Sequence, residues 1–262
     1  MDDKPLLARD EDGVRILTLN RPERGNAINS ELSEQIIEAF VEAAADGSVG
    51  AILLTGAGDR VFCSGGDMKA AAEKDAGQRR GAIAKPMGGM NRNLFEVILE
   101  TPKPVVAAIN GAAAGGGFEL ALACDLRVAD KSARFLLPEA KRGMGAHFAS
   151  IMLPRLVPEA IALEMLFTGE PIGTAEAEHW GLLNRVTPDG ECVAEALALA
   201  RLIAANAPLS LRRIKAHARR SQGMPLASAL RLDEGPSPYE SEDRIEGFRA
   251  FVEKRAPVWR GR

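Results

Sequence analysis

Apolar and polar residues along the first half of the chain follow patterns that change repeatedly from strand-like to helix-like. Gly13–Asn20 (GVRILTLN) alternates and predicts a strand that ends in a turn at Arg21–Pro22. The next stretch, NSELSEQIIEAFVEAAAD, has apolar residues at helical spacing and predicts a helix with Ser30 as its N-cap. Val49–Gly56 (VGAILLTG) is continuously apolar, which is typical of a buried parallel strand.

The same alternation continues beyond residue 56. VFCSGGDMKAA predicts a short strand, a glycine turn and the start of a helix, and residues 76–89 predict a mobile loop or helix end. NLFEVILETPKP predicts a helix until Pro102, PVVAAING a buried strand, and DLRVADKSARFLLPE two short strands. From Ile151 the pattern is mostly helical, and Ser241 and Asp243 suit the start of the last helix. Such alternation predicts an α/β fold with parallel strands.

Composition narrows the classes of function. The 262 residues carry a net charge of −3, which argues against nucleic acid or an anionic membrane as the main partner. No apolar run approaches 18 residues, and the acidic N-terminal stretch is unlike a signal peptide. Cys63, Cys124 and Cys192 form no CxxC pair, so neither a metal site nor a disulfide framework is indicated. We therefore predict a cytoplasmic globular protein.

Two glycine turns share one design, in which a buried strand runs into glycines and then into a helix. They are Cys63–Asp67 (CSGGD) and Gly115–Gly117. Backbone N–H groups at such turns are free donors, and two of them side by side could stabilise an oxyanion. Glycine is suited to this role because a side chain would block the incoming carbonyl group. The alternative is that both are only tight turns of an α/β sheet. A nucleotide loop is less favoured, because GxxxxGK[ST] is absent and GxGxxG does not fit Gly111–Gly117.

Two acidic residues favour the catalytic interpretation. Glu119 follows the glycine triplet among apolar neighbours (FELALACD), and Glu139 follows an apolar run and Pro138. A carboxyl group in apolar surroundings has a raised pKa and can exchange protons near neutral pH. Either acid alone could instead be a charge favoured by a helix N-terminus. Beside an oxyanion hole, the pair predicts proton chemistry next to an activated carbonyl.

Several motifs, in order and over nearly the whole chain, resemble the crotonase (enoyl-CoA hydratase/isomerase) superfamily. They are LNRPERGNAINSEL, VGAILLTGAGDRVFCSGGDMK, TPKPVVAAINGAAAGGGFELALACDLRVAD, FLLPEAKRG and SEDRIEGFRAFVEKRAPVWRGR. The resemblance implies an α/β fold, a spiral of repeated ββα units with a helical C-terminal region. Residues 1–195 would form the core with the acyl-CoA site, and residues 196–262 would form an extension for trimerisation that also covers the coenzyme A site.

The resemblance also implies roles for individual residues. Gly66 and Gly116 would donate the two oxyanion N–H groups, and Glu119 and Glu139 would hold water and exchange protons with a trans-2-enoyl thioester. No separate cofactor is implied, because coenzyme A is part of the acyl-CoA substrate, and members are typically homotrimers or dimers of trimers. The residues implied in substrate or coenzyme A binding are Arg24, Gly66, Asp67, Met68, Lys69, Gly116, Phe251 and Lys254.

One segment departs from the family pattern. Hydratases usually read G-x-x-P-G-x-G-G after the second glutamate, where this chain has Gly143–Leu156 (GMGAHFASIMLPRL) with no proline–glycine pair. In the family this segment lines the acyl pocket and supports that glutamate, here Glu139. His147 could lie near Glu139 or contact a polar acyl group, or it could simply flank a helix.

These observations predict an enoyl-CoA hydratase, and polar acyl groups stay among the candidate substrates. One alternative is an isomerase or thioester hydrolase that uses chiefly Glu139. Another is an acyl-CoA-binding protein without activity, which the altered Gly143–Leu156 segment leaves open. His179 and His217 are expected at the surface or in packing contacts, and Cys63 is expected to be a small buried residue rather than a nucleophile.

Overall fold

The computed structural model describes residues 4–68 and 92–262, and within these ranges ten strands form two sheets. The larger sheet has the order β1-β2-β3-β5-β7-β10, and the smaller sheet has the order β4-β6-β8-β9. The larger sheet consists of β1 (Leu6–Glu11), β2 (Val14–Leu19), β3 (Ala51–Gly56), β5 (Val105–Ile109), β7 (Leu126–Asp130) and β10 (Arg185–Thr187). The smaller consists of β4 (Val61–Cys63), β6 (Ala112–Ala114), β8 (Arg134–Leu136) and β9 (Ile172–Gly173).

The helices follow the strands and surround the two sheets. They are α1 (Ser30–Ala45), α2 (Leu94–Glu100), α3 (Gly116–Ala123), α4 (His147–Met152), α5 (Glu159–Thr168), α6 (Thr174–His179), α7 (Cys192–Ala204), α8 (Pro208–Arg220), α9 (Leu226–Ala229) and α10 (Glu242–Glu253). Short 3₁₀ turns lie at Pro22–Arg24, Ala140–Arg142, Leu153–Arg155 and Pro238–Glu240.

The chain makes the same step between the sheets three times. From β3 to β4, from β5 to β6 and from β7 to β8, it leaves the larger sheet and enters the smaller one. Strands of successive steps pair in parallel within each sheet. This is the spiral of ββα units, and it places the turns that follow β4 and β6 next to each other, at the carboxyl ends of two neighbouring parallel strands.

Apolar clusters cover both faces of the larger sheet, which explains why its central strands are continuously apolar. On β3, Ile52 and Leu54 belong to the cluster that also contains the buried face of α1. Ala51 and Leu53 point to the opposite cluster, which contains Ala196 of α7. Each residue of β3 is therefore buried, as expected for a parallel strand covered by helices on both sides.

Most predicted elements are confirmed, and the differences have local causes. The N-cap of α1 is Asn29 rather than Ser30, because the Asn29 side chain accepts a hydrogen bond of 2.9 Å from the Leu32 amide. Ser241 does cap α10, but Asp243 is buried and accepts hydrogen bonds from the backbone of Arg260 and Gly261. Asp243 thus lies in the first turn of α10, as expected, and also holds the returning tail.

Four strands, β1, β6, β9 and β10, were not predicted. β9 has only two residues, which pair with β8. β1 is an edge strand whose sequence, LLARDE, does not alternate between apolar and polar residues, and its antiparallel pairing with β2 defines it. β6 consists of three alanines that carry no periodic pattern, and β10 has three residues held by β7. Each is specified by a neighbouring strand, so its own sequence contains little signal.

The predicted division between residues 195 and 196 falls inside α7. Cys192, Ala196 and Ala200 of this helix pack on the larger sheet. The proposed separate role of residues 196–262 stays a prediction, and the predicted loop at residues 76–89 lies outside the described ranges. Among the helices described, none is individually long and apolar enough to cross a membrane. α7 and α8 taken together are long and apolar enough for a membrane span, but the two helices meet at a bend of 106°.

Candidate active site

The first glycine turn is bound along its length by the segment Arg21–Ile28, which we call the 21–28 segment. The Ser64 amide donates to the Gly25 carbonyl at 2.9 Å, and the Ile28 amide donates to the Gly65 carbonyl at 2.8 Å. The Asp67 amide then donates to the Ile28 carbonyl at 3.0 Å. Gly65 has a φ of +89°, a conformation suited to glycine. The turn is thus fixed on both sides of Gly66.

The second glycine turn connects β6 to α3 and needs glycine for space as well as for conformation. Gly115 has a φ of +53°, and a Cβ there would lie 2.6 Å from Oε1 of Glu139. A Cβ on Gly117 would lie 2.0 Å from the carbonyl oxygen of Cys63, well inside contact distance. The triplet therefore lets the second turn pack directly against the strand that leads into the first.

The two turns lie side by side. A Cβ added to Gly65 would be 3.1 Å from the Gly116 nitrogen, and one added to Gly116 would be 3.7 Å from the Gly66 nitrogen. Across residues 4–68 and 92–262, neither the Gly66 nor the Gly116 amide donates a hydrogen bond. Among the residues that the structure describes, a Cβ on Gly66 would meet no atom within 4 Å, so these residues leave space beside its amide. Two free donors therefore flank one open space.

Glu119 lies on the first turn of α3, directly after the glycine triplet. The residue is 8% exposed, and its Oε1 accepts a hydrogen bond of 2.9 Å from the Ala149 amide. Burial raises the pKa of Glu119, the nearby negative charge of Glu139 raises it further, and the Ala149 and Phe148 amides partly oppose this. Its carboxyl group is consequently easier to protonate than an exposed one.

Glu139 lies between β8 and the 3₁₀ turn at Ala140–Arg142. Burial raises the pKa of Glu139, and the positive charge of Arg142 acts in the opposite direction. Its Oε2 is buried and has no hydrogen-bond partner among the residues that the structure describes. Unpaired buried oxygens are rare and mark places where a ligand or water is expected. Because Oε1 lies against Gly115, the carboxyl group of Glu139 lies directly beside the second glycine turn.

The other predicted binding residues fall in two places. Arg24 is exposed in the 21–28 segment, Asp67 is held in the first turn, and Met68, 45% exposed, follows it. Lys69 lies outside the described residues. Phe251 and Lys254, in contrast, lie on or directly after α10.

Phe251 is therefore separated from the glycine turns within this chain. Its side chain is 85% exposed and borders a groove of about 1110 Å³. Residues of α8 and α10, the connection between them and Trp259 line this groove. No residue of either glycine turn lines that groove. Lys254 ends α10 with a φ of +52°. The structure thus brings together the predicted catalytic residues but not the two C-terminal ones.

Two further candidates from the sequence are His147 and Cys63. His147 is the exposed first residue of α4, consistent with a residue that flanks a helix. Cys63 is buried, which raises its pKa to about 12, and its Sγ donates to the Asn26 carbonyl. Such a thiol is unsuited to act as a nucleophile. Within residues 4–68 and 92–262, no cluster of three His, Cys, Asp or Glu side chains is arranged to hold a metal ion.

Two positions that support the site escaped the sequence analysis. Asn26, with a φ of +54°, donates to the carbonyls of Ala57, Val61 and Phe62 and so ties the 21–28 segment to the β3–β4 connection. The atypical Gly143–Leu156 segment supplies Ala149, whose amide binds Glu119. The same segment also donates from the Met144 amide to the Glu139 carbonyl at 3.0 Å. It therefore supports both glutamates, although only Glu139 was expected.

Comparison with known proteins agrees with this geometry. Residues 9–262 match the family model described as enoyl-CoA hydratase/isomerase. Proteins named carnitinyl-CoA dehydratase from Salmonella typhi and Escherichia coli (strain K12) are each 42% identical over 253 residues, covering 94% of this chain and 94% of the relative.

Solved structures extend the match to three dimensions. An enoyl-CoA hydratase from Mycobacterium tuberculosis H37Rv has 35% identity and a TM-score of 0.86, covering 99% of this chain and all of that one. An enoyl-CoA hydratase from Bacillus anthracis has 32% identity and a TM-score of 0.90, covering 98% of this chain and all of that one. From the ββα spiral, the two glycine turns and these matches together, the chain belongs to the enoyl-CoA hydratase/isomerase family, within the crotonase superfamily.

Proposed function

We propose that this protein, as a hydratase or dehydratase of its family, catalyses the reversible addition of water to a trans-2-enoyl-CoA thioester. Gly66 and Gly116 donate hydrogen bonds to the thioester oxygen, and Glu119 and Glu139 orient water and move protons. One observation carries this proposal: two free backbone donors and two carboxyl groups of raised pKa lie around the same adjacent turns. The chemistry needs no cofactor apart from the coenzyme A of the substrate.

The donors act on the charge that develops during the reaction. Attack of water on the β carbon places negative charge on the thioester oxygen, and one well-placed donor contributes about 3 kcal/mol to such an oxyanion. Both amides belong to the backbone of fixed turns, so they need no rearrangement when the charge appears. The open space at Gly66 leaves room for the incoming carbonyl.

The carboxyl groups form an acid–base pair. Because the charge of Glu139 raises the pKa of Glu119, ionisation of one disfavours ionisation of the other. One carboxylate can accept a proton from the attacking water while the other, still protonated, can deliver one to the α carbon. Ala149 fixes one oxygen of Glu119, whereas Oε2 of Glu139 is left for water or substrate.

We propose further that the substrates include short enoyl thioesters with a polar or cationic group. Two relatives at 42% identity are named carnitinyl-CoA dehydratase, and carnitinyl-CoA carries a quaternary ammonium group. The Gly143–Leu156 segment, where the family places part of its acyl pocket, lacks the usual proline–glycine pair and exposes His147. The prediction is faster turnover of a crotonyl-CoA with a γ-trimethylammonium group than of crotonyl-CoA itself.

Turnover of purified protein tests the proposed reaction. Loss of the enoyl-CoA absorbance is followed over a panel of acyl groups of different length and polarity. Glu119→Gln and Glu139→Gln are each expected to lower kcat by about 10²- to 10⁴-fold. The control is Glu164→Gln, an exposed glutamate on α5, which should leave kcat unchanged. Turnover absent across the whole panel, or unaffected by both active-site variants, would contradict the proposal.

A second candidate function uses Glu139 without Glu119. Because Ala149 occupies one oxygen of Glu119 while Oε2 of Glu139 is unpaired, Glu139 alone could move a proton in double-bond isomerisation or thioester hydrolysis. This candidate expects 3-enoyl-CoA conversion or free thiol release that persists in Glu119→Gln. Tight acyl-CoA binding without any turnover would instead indicate a binding protein.

We also propose that the chain assembles into homotrimers or dimers of trimers through its C-terminal helices, which then cover the coenzyme A site of a neighbouring copy. The support is apolar surface on this region, where Phe248 is 64% and Phe251 85% exposed. The test measures mass in solution for Phe251→Ser and for Phe167→Ser, whose ring is 72% exposed on α5. Only Phe251→Ser should shift the mass towards monomer, and a monomeric wild-type protein would refute the assembly.

A further inference from the structure

Arg21 and Asp67 form a shielded ion pair directly beside the first glycine turn. Nη2 of Arg21 lies 3.0 Å from Oδ2 of Asp67, and only 16% and 10% of the two side chains are exposed. Nη1 of the same guanidinium donates to the carbonyl of Ala27. Arg21 therefore joins the residue that follows Gly66 to the far end of the 21–28 segment through two separate nitrogens.

The direction of the Gly66 N–H depends on one peptide plane. In a trans peptide the C=O and the following N–H point to opposite sides. The Gly65 carbonyl points to the Ile28 amide at 2.8 Å, so the Gly66 N–H is directed away from the 21–28 segment. This plane lies between two glycines, the residues that rotate most freely, and the turn must be held from outside to keep it oriented.

The 21–28 segment is itself fixed, which makes it able to hold the plane. Asn26 attaches it to the carbonyls of Ala57, Val61 and Phe62, and its Oδ1 accepts from the Arg21 amide at 3.0 Å. Backbone hydrogen bonds from Ser64 and Asp67 to this segment hold the two ends of the glycine turn. Arg21 is the side chain that spans from this rigid frame to the Asp67 end.

We propose that Arg21 is a positioning residue for the oxyanion hole: acting through Asp67, it keeps the Gly66 N–H aimed at the thioester oxygen. This inference rests on the proposed function of Gly66 as a donor. Loss of the pair leaves the Asp67 end of the turn with weaker restraint, so the Gly65–Gly66 plane rotates and the donor leaves its position.

The first experiment compares kinetics of Arg21→Gln and Asp67→Asn with the wild-type protein. Each is expected to lower kcat by about 10- to 100-fold, the scale for misplacing a catalytic group by about 1 Å, with KM changed less than about 3-fold. The double variant should be no slower than the slower single variant, because both remove the same interaction. Arg185→Gln, which breaks an ion pair with Glu195 elsewhere, is the control and should keep kcat.

The second experiment measures the position of the donor without turnover. The stretching frequency of a ¹³C-labelled thioester carbonyl is recorded in bound butanoyl-CoA, which has no double bond to hydrate. Two well-aimed donors lower this frequency in the wild-type protein, and Arg21→Gln should lose at least half of the shift. Arg21→Lys should recover only part of it, since one ammonium cannot reproduce the two fixed contacts.

The outcomes separate this inference from the proposed function. Normal kcat and an unchanged carbonyl shift in both variants would overturn the role of Arg21, while wild-type turnover would still support a hydratase. A wild-type shift that the variants lose, without turnover of any acyl-CoA, would retain the positioning role and reject the hydratase. Absence of both signals in the wild-type protein rejects both. If Arg21→Gln does not fold, the nearly isosteric Asp67→Asn decides.

Discussion

The region of the glycine turns and the C-terminal helical region differ in which groups they leave without a partner in the described part of the chain: polar groups in the first and apolar side chains in the second. Around Gly66, backbone hydrogen bonds fix the turn on both sides, while the amides of Gly66 and Gly116 and Oε2 of Glu139 have no partner among the described residues. The C-terminal region instead presents large apolar side chains outwards, including Ile214, Leu226, Leu230, Tyr239, Phe248, Phe251 and Val258. The first region thus concentrates polar groups around the turns, and the second presents an apolar surface outwards.

The carboxylate of Asp125 is one of the links between the two regions. Asp125 follows α3 and accepts a hydrogen bond from the Val105 amide, which starts β5. It also pairs with Lys215 at 2.6 Å and Arg219 at 2.9 Å, both on α8. The attachment of α8 to the rest of the fold can therefore be weakened at Asp125 or at its partners on α8.

The strongest test of the turn region is Gly117→Ala. A Cβ would lie 2.0 Å from the Cys63 carbonyl oxygen, and neither backbone can move without separating the two turns. We expect the free energy of unfolding to fall by about 4 kcal/mol or more, or the protein to fail to fold. Chemical denaturation gives the value, and Gly47→Ala, at an exposed glycine with no atom within 4 Å, is the matched control. Equal stability of the two variants would show that the turns are not tightly packed.

A smaller effect is expected at the boundary, from Asp125→Asn. The change leaves Lys215, whose pKa burial already lowers, without its negative partner. Removing one member of a buried ion pair is costly, and with the partial exposure of this one we expect a loss of about 2 kcal/mol.

Amide hydrogen exchange shows where that loss falls. Exchange should accelerate in α8 and remain slow in β3 and β5, because only the attachment of the C-terminal region is weakened. Asp233→Asn is the matched control: it removes the partner of Arg213 on the same helix, but Asp233 is 85% exposed. Uniformly faster exchange across the sheet would mean that the two regions are one cooperative unit.

The smallest effect is a pH-dependent gain in stability in Glu139→Gln. Because burial raises the pKa of Glu139 in the folded protein, its contribution to stability is largest below the unfolded pKa and is lost as pH rises through the folded one. The variant lacks this titration. It should match the wild type near pH 4 and become the more stable protein towards pH 7.5.

Urea unfolding at several pH values measures this difference, with Glu164→Gln as an exposed control that should show none. A variant less stable than the wild type at pH 7.5 would show that Glu139 stabilises the fold rather than serving the site at a cost in stability.

The sequence was most informative where a residue type stands out from its neighbours for one physical reason, such as glycine after a buried strand or an acid in an apolar stretch. The glycines after β4 and β6 predicted both turns, and an acid among apolar residues predicted Glu119. What the sequence concealed were contacts between distant segments. Arg21 and Asp67 are 46 positions apart, and nothing local marks Asn26 as a buried residue with four hydrogen bonds. The family resemblance named candidate residues, and the fold shows which contacts hold them.

All three cysteines are buried, so their thiols can report local opening of the structure around them. Burial raises the pKa values of Cys63, Cys124 and Cys192 to about 12, so an alkylating reagent reacts only when the surroundings of a thiol open. These cysteines lie at the first glycine turn, at the end of α3 and at the start of α7. Mass spectrometry of labelled peptides could therefore time the opening of three separate places without any engineered label.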